Sequence, residues 1–147
     1  MYGQTNCFIL PDGDYIAVKN KLNEVWIMSE HSARNLSYQD AFESFGTFNV
    51  LFKLKGSDLI GSAVHAPLSK YDHVYVLPMN TIKMDKGTGI VTSVPSDSPD
   101  DYINFKELKD KDFYRKPYNI ELDMLDREIV DIISIKVPDE TNRSAEY

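Results

Sequence analysis

Residues 83–101 read KMDKGTGIVTSVPSDSPDD, and no other stretch of the 147-residue chain constrains the fold as much. Gly87 and Gly89 flank Thr88, so the backbone there can turn sharply and approach a ligand closely. The run Ile90 to Val94 that follows predicts a strand. Ser98 is a good helix N-cap, Pro99 suits the first helical position, and Asp100 and Asp101 complement the positive end of a helix dipole. The stretch therefore predicts one turn–strand–turn–helix unit with the glycines at one end of the strand and Asp101 at the other. Spacing alone favours a plain β turn followed by a capping box, because Ser98 and Asp101 stand three apart and a lone Gly-x-Gly is weak evidence of a binding loop.

Upstream, short apolar runs separated by turn residues predict more strands. Cys7 to Leu10, Tyr15 to Lys19 and Val25 to Met28 alternate with Pro11-Asp12-Gly13-Asp14 and Asn20 to Asn23, which reads as a meander of hairpins. Ser29 to Tyr38 suits one short helix with a Ser cap. Phe48 to Lys55, Leu59 to His65 and Val74 to Leu77 are further strand candidates, bounded by Gly56 and Pro67. Downstream of Ser98, Ile103, Phe105 and Leu108 are expected to face inward, Lys109 to Lys116 is polar and basic, Ile129 to Val137 looks like a closing strand, and Pro138 onward like a frayed tail. The pattern predicts one domain, mixed α/β and β-rich: a barrel or open sheet decorated by two or three short helices.

Composition narrows the function classes. Hydrophobic residues at 42% suffice for a core, and no apolar run is long enough to span a bilayer, so no membrane association is expected. Cys7 is the single cysteine and His31, His65 and His73 lack ligand spacing, so neither a disulfide nor a metal site is expected. A net charge of −7 argues against bulk attraction to a phosphate backbone; any nucleic-acid contact must be small and local. There is no Gly-x-Ser-x-Gly elbow and no phosphate-binding Gly-x-x-x-x-Gly-Lys loop.

The string KGTGIVTSVPSDSPDD closely resembles the signature of the editing domain in archaeal and eukaryotic leucyl-tRNA synthetases. The likeness extends backward through YVLPMNTIKMD, APLSKYDHVYVLP and SARNLSYQ to MYGQTNCFILPD, covering most of residues 1 to about 120. Editing domains of isoleucyl- and valyl-tRNA synthetases also carry Gly-Thr-Gly and a terminal acid pair; the Ser96-Asp97-Ser98-Pro99 link and the LPMNTIK lead-in favour leucyl. The resemblance implies a β-barrel-like domain inserted into a class I synthetase. It implies hydrolysis of the ester joining isoleucine, valine or norvaline to the terminal adenosine of leucine tRNA, with no cofactor, as a second sieve. Asp101 matches the acid that anchors the α-ammonium of the misattached amino acid. Lys83, Lys86 and Gly87-Thr88-Gly89 match positions lining the adenosine, and Thr92 and Val94 match the pocket-facing side of the strand; the bland alternatives are solvated loop charges and ordinary strand packing.

Gly3, Gln4, Thr5 and Asn6 resemble the tail of the family motif Thr-x-Arg-Pro-Glu-Thr-Met-x-Gly, with Gly3 and Thr5 as substrate-binding candidates. Met1 falls on that motif's methionine, so the threonines and arginine before it have no counterpart here. Residues 1–147 are thus expected to form a single editing domain without its threonine-rich segment, monomeric in isolation, cytoplasmic, and partnered by the tRNA terminus and the rest of a leucyl-tRNA synthetase chain. Neither a His-x-Gly-His nor a Lys-Met-Ser-Lys-Ser type signature is present, so no synthetic site is expected. The competing reading is a non-catalytic inserted module that positions the tRNA end or contacts a protein partner. On the leading reading, Asp101→Ala should abolish hydrolysis with little loss of fold.

Overall fold

The computed structural model describes residues 1–133. The expected tail from Pro138 and the last residues of the expected strand 129–137 lie outside them. Among the described residues seven strands fall into two open sheets. β1 (Asn6–Ile9), β5 (Ala63–His65), β6 (His73–Pro78) and β7 (Ile90–Ser93) form one, in the order β5-β6-β1-β7. β2 (Asp14–Lys19), β3 (Val25–Ser29) and β4 (Val50–Lys55) form the other, in the order β3-β2-β4. The helices are α1 (Glu30–Ser37), α2 (Pro99–Asp110) and the single turn α3 (Asp112–Arg115). A mixed, strand-rich fold is what the sequence predicts, but neither sheet closes into a barrel.

Alternation along the strands builds three apolar layers. Phe8 and Leu77 meet Phe105 and Leu108 of α2. Ile9 and Val76, one residue on, point the other way and pack on Tyr15 of the second sheet. Ile16 and Val18, on that sheet's far face, pack beneath Ala33 of α1. The order is α2, first sheet, second sheet, α1, and the period-2 alternation of strands produces it by sending successive side chains to opposite faces.

Several expectations are corrected here. The first third is not a meander of hairpins. Only β2 and β3 form one, turned at Asn20–Glu24, whereas β1 leaves to pair parallel with β6 and antiparallel with β7, and β4 takes the other edge of β2. Ala63–His65 is strand but Leu59 to Ser62 is turn, closed by Ser62 N donating to Leu59 O and by Gly61 at φ +84°. Ile103 is 53% exposed, because the buried positions Asp101, Phe105 and Leu108 recur at helical spacing and residue 103 falls on the opposite side. Residues 129–133 form no strand. The basic stretch 109–116 continues α2 and adds α3. There the buried Arg115 donates to the carbonyls of Leu108 (2.6 Å) and Lys109 (2.7 Å), a cation satisfying the negative end of α2.

Candidate functional site

β7 organises the site. At its C-terminal end the chain turns through residues 94–98, with Val94 O accepting from Asp97 N (3.0 Å) and Ser98 N (3.1 Å). Ser98 then caps α2, its hydroxyl accepting from Asp101 N at 3.3 Å. The Asp101 side chain reaches back, and its Oδ2 accepts from Val94 N at 2.9 Å. Asp101 is only 6% exposed, and burial raises its pKa above the ordinary aspartate value; the bonds from Val94 N and Ser98 oppose that rise and Asp100 adds to it. No cation contributes among the described residues. A desolvated carboxylate with an oxygen to spare favours an ammonium partner.

Gly3 and Thr5 lie at the same end. A Cβ on Gly3 would come within 3.2 Å of Ser96 Oγ and Val130 O and 3.4 Å of Val94 Cγ1, so this strand entry runs close to the Val94–Ser96 turn and a larger residue would have to push its neighbours back by a few tenths of an ångström. Thr5 is fully buried; its N–H donates to Ser93 O (3.1 Å) and its hydroxyl to Asn6 Oδ1 (2.8 Å). Asn6 and Ser93 are register partners across β1 and β7. Both are fully buried, and Asn6 Nδ2 and Ser93 Oγ have no partner among the described residues. The sequence signal was an Asn and a Ser at strand positions whose neighbours two away, Phe8 and Val91, are apolar.

The other end of β7 differs. Gly87 and Gly89 both adopt positive φ, +58° and +77°. Thr88 is exposed and its carbonyl accepts from Ser29 N (2.8 Å), while Gly89 O accepts from the Tyr15 hydroxyl (2.5 Å), which ties the turn to the second sheet. Lys83 and Lys86 are exposed and joined by a turn, Lys86 N to Lys83 O. Thr92 lies between the ends, exposed, opposite Cys7 in register, on the sheet face away from α2. Val94 is half-buried at the Asp101 end. The structure thus gathers Gly3, Thr5, Val94 and Asp101 at one end and Lys83, Lys86, Gly87, Thr88 and Gly89 at the other. Five residues of extended chain from Gly89 to Val94 separate them by about 17 Å. Among the described residues no group of three or more His, Cys, Asp or Glu is placed to hold a metal, and no helix is long and apolar enough to cross a membrane.

No family model matches the chain. It is 49% identical over 146 residues, 99% of its own length, to the cytoplasmic leucine–tRNA ligase of Dictyostelium discoideum, of which it spans 14%. Among solved structures it resembles the crystal structure of GlLeuRS-CP1, with 43% identity and a TM-score of 0.83 over 95% of this chain and 51% of that one. It also resembles the editing domain of the P. falciparum cytosolic leucyl-tRNA synthetase, at 31% identity and a TM-score of 0.80 over 88% of this chain and 49% of that one. Strand-rich α/β architecture, the latched acid and these likenesses define an editing-domain segment of an aminoacyl-tRNA synthetase. Within that class the chain belongs to the leucyl-tRNA synthetase family, of the cytoplasmic type, and spans about half of each CP1 editing domain it matches.

Proposed function

We propose that this segment carries the amino-group anchor and the adenosine cradle of a post-transfer editing site. The site hydrolyses the ester between a wrong amino acid, of the isoleucine, valine or norvaline type, and the terminal adenosine of leucine tRNA. The observation that carries the reading is the buried, raised-pKa carboxylate of Asp101, fixed by Val94 N beside the close approach of Gly3. The α-ammonium of the misattached residue donates to Asp101, which fixes the ester carbonyl at the Val94 end of β7. The nucleoside extends along β7 past Thr92 toward Lys83, Lys86 and the Gly87–Gly89 turn. The separation of the two ends suits an extended aminoacyl-nucleoside.

The chemistry is proximity and electrostatic orientation rather than general-base catalysis by a side chain. Water attacks the ester carbonyl carbon, the bond from that carbon to the ribose oxygen breaks, the free amino acid departs, and the ribose hydroxyl recovers a proton. The parent synthetase and the tRNA acceptor end are the partners of this reading, and no cofactor enters it.

The test is deacylation of isoleucine-charged leucine tRNA by the chain and by Asp101→Asn. Asparagine keeps an oxygen for Val94 N and removes only the charge, whereas Asp101→Ala would also orphan Val94 N, at about 1–3 kcal/mol. Loss of hydrolysis with unchanged circular dichroism supports the anchor. Unchanged hydrolysis would refute the anchor, and no hydrolysis by the unsubstituted chain would return the non-catalytic reading.

A further inference from the structure

A second concave feature stands apart from the residues assigned so far. A cleft of about 190 Å³ opens between the C-terminal end of β6, α2 and α3, and holds none of the residues assigned above. It is smaller than the several hundred Å³ that drug-sized ligands occupy, so it suits one small ring system. Tyr114 and Tyr118 form aromatic walls, and the ring of Tyr114 is held against Phe113 with centroids 4.1 Å apart. Asn80 and Asn104 contribute amides. Asn104 spends one N–H on Asp100 O (2.8 Å) and keeps the other N–H and its oxygen. Glu107 contributes a carboxylate, one oxygen of which holds Lys111 Nζ at 2.6 Å.

The chemistry excludes two ligand classes. None of the lining residues is Lys or Arg, and the nearby Lys111 Nζ, 5.6 Å from the centroid of the Tyr114 ring, is already paired with Glu107, so the cleft is not built for phosphate. Glu107 already has its cation, so a second one gains little there. What remains is a neutral, planar, hydrogen-bonding ring between tyrosines, the usual recognition of an unpaired nucleobase. A cleft this small takes a single six-membered ring rather than a purine, and between the pyrimidines an acceptor-only carboxylate opposite amide donors favours cytosine, whose exocyclic amine donates and whose N3 and O2 accept; uracil would turn a carbonyl toward Glu107. Position adds a further argument, which rests on the proposed editing site. Thr81 lines the cleft, and Lys83, two residues on, belongs to the loop assigned to the terminal adenosine. In tRNA the nucleotide before that adenosine is a cytidine.

We propose that this cleft is the subsite for the penultimate cytidine of the tRNA acceptor end, with Tyr114 and Tyr118 stacking on the base and Glu107, Asn80 and Asn104 reading its edge. Calorimetric titration of the chain compares three probes: a nonhydrolysable 3′-isoleucylamino-adenosine, the same mimic extended 5′ by cytidine, and the same mimic extended by uridine. The cytidine extension should tighten binding about tenfold, as one stacked base does, and uridine should lose most of that gain. Glu107→Gln should erase the cytidine preference and Asn80→Ala should reduce the gain, with the unextended mimic bound as before by both variants. No gain from extension, or a cytidine preference that survives both variants, overturns the proposal. If the unextended mimic fails to bind, the Asp101 anchor is refuted, and the cleft is then read by NMR titration with cytidine 5′-monophosphate. Shifts confined to the Asn80 and Asn104 amides support the subsite, and their absence refutes it independently of the anchor.

Discussion

The two ends of β7 are built on opposite principles. At the Val94 end the carboxylate of Asp101 is buried and hydrogen-bonded to the backbone, Gly3 runs close beside the turn, and Asn6 Nδ2 and Ser93 Oγ are buried with no partner among the described residues. At the other end Gly87 and Thr88 are exposed, the turn is twice left-handed and anchored through the buried Gly89, and it is flanked by exposed lysines. A desolvated group interacts strongly and selectively with a single charge, whereas an open turn offers backbone groups to a larger, well-hydrated ligand. One strand thus carries a small dry anchor and a broad wet cradle, a division suited to a substrate with an ammonium at one end and a nucleoside at the other.

The largest expected effect falls on the dry end. Asp101→Asn should lower the rate of deacylation by about a hundredfold or more, the scale of losing a positioning contact, measured as single-turnover release of isoleucine. The pH profile gives the sign. Ammonium binding needs the anion, and burial holds Asp101 above the ordinary aspartate pKa. Activity should therefore rise with pH through that elevated value, an acidic limb that Asp101→Asn lacks. For stability the direction reverses. A folded-state pKa above the unfolded one favours the protonated form, so the native chain should lose stability relative to Asp101→Asn as pH rises from the unfolded aspartate range through the elevated value. Urea midpoints across that window check it.

The wet end should respond in conformation first. Gly89→Ala should cost about 2 kcal/mol of stability, because an L-residue is strained at its positive φ and its Cβ would press on Met84 and Tyr15 at 3.1 Å. Gly87→Ala, with open space around its Cβ, should cost about 1 kcal/mol. Equal costs would show that the turn is not packed against Tyr15 as described. An effect of the same size as that of Gly87→Ala is expected for Ser98→Ala, about 1 kcal/mol for a lost cap, read from the thermal midpoint with little change in deacylation.

Much of this was legible in the sequence because it is local. Ser29 and Ser98 each announced a helix start, Gly87 and Gly89 announced a turn, and each strand along β1 to β7 left an apolar run. Pairing was not legible: nothing in Cys7 to Leu10 says that its neighbours are β6 and β7 rather than the adjacent β2, since alternation assigns faces and not edges. Ile103 was misread because a single apolar residue near a helix start does not fix helical phase, which Phe105 and Leu108 set through their contact with Phe8 and Leu77. At the site, the place of Asp101 followed from capping spacing. Its return bond to Val94 N did not, because that bond depends on how the 94–98 turn brings helix start and strand end together. That Asn6 Nδ2 and Ser93 Oγ have no partner among the described residues became visible only once β1 and β7 were paired.

The central claim is that the Asp101 carboxylate grips the amino group of the misattached residue. Its most direct measure is the affinity of the chain for 3′-isoleucylamino-adenosine against the same molecule lacking the α-amine. The account predicts at least a tenfold preference for the amine, on the scale of one charge-assisted hydrogen bond to a buried carboxylate, abolished in Asp101→Asn. Equal affinity for the two ligands in the unsubstituted chain, or affinity for neither, would contradict it.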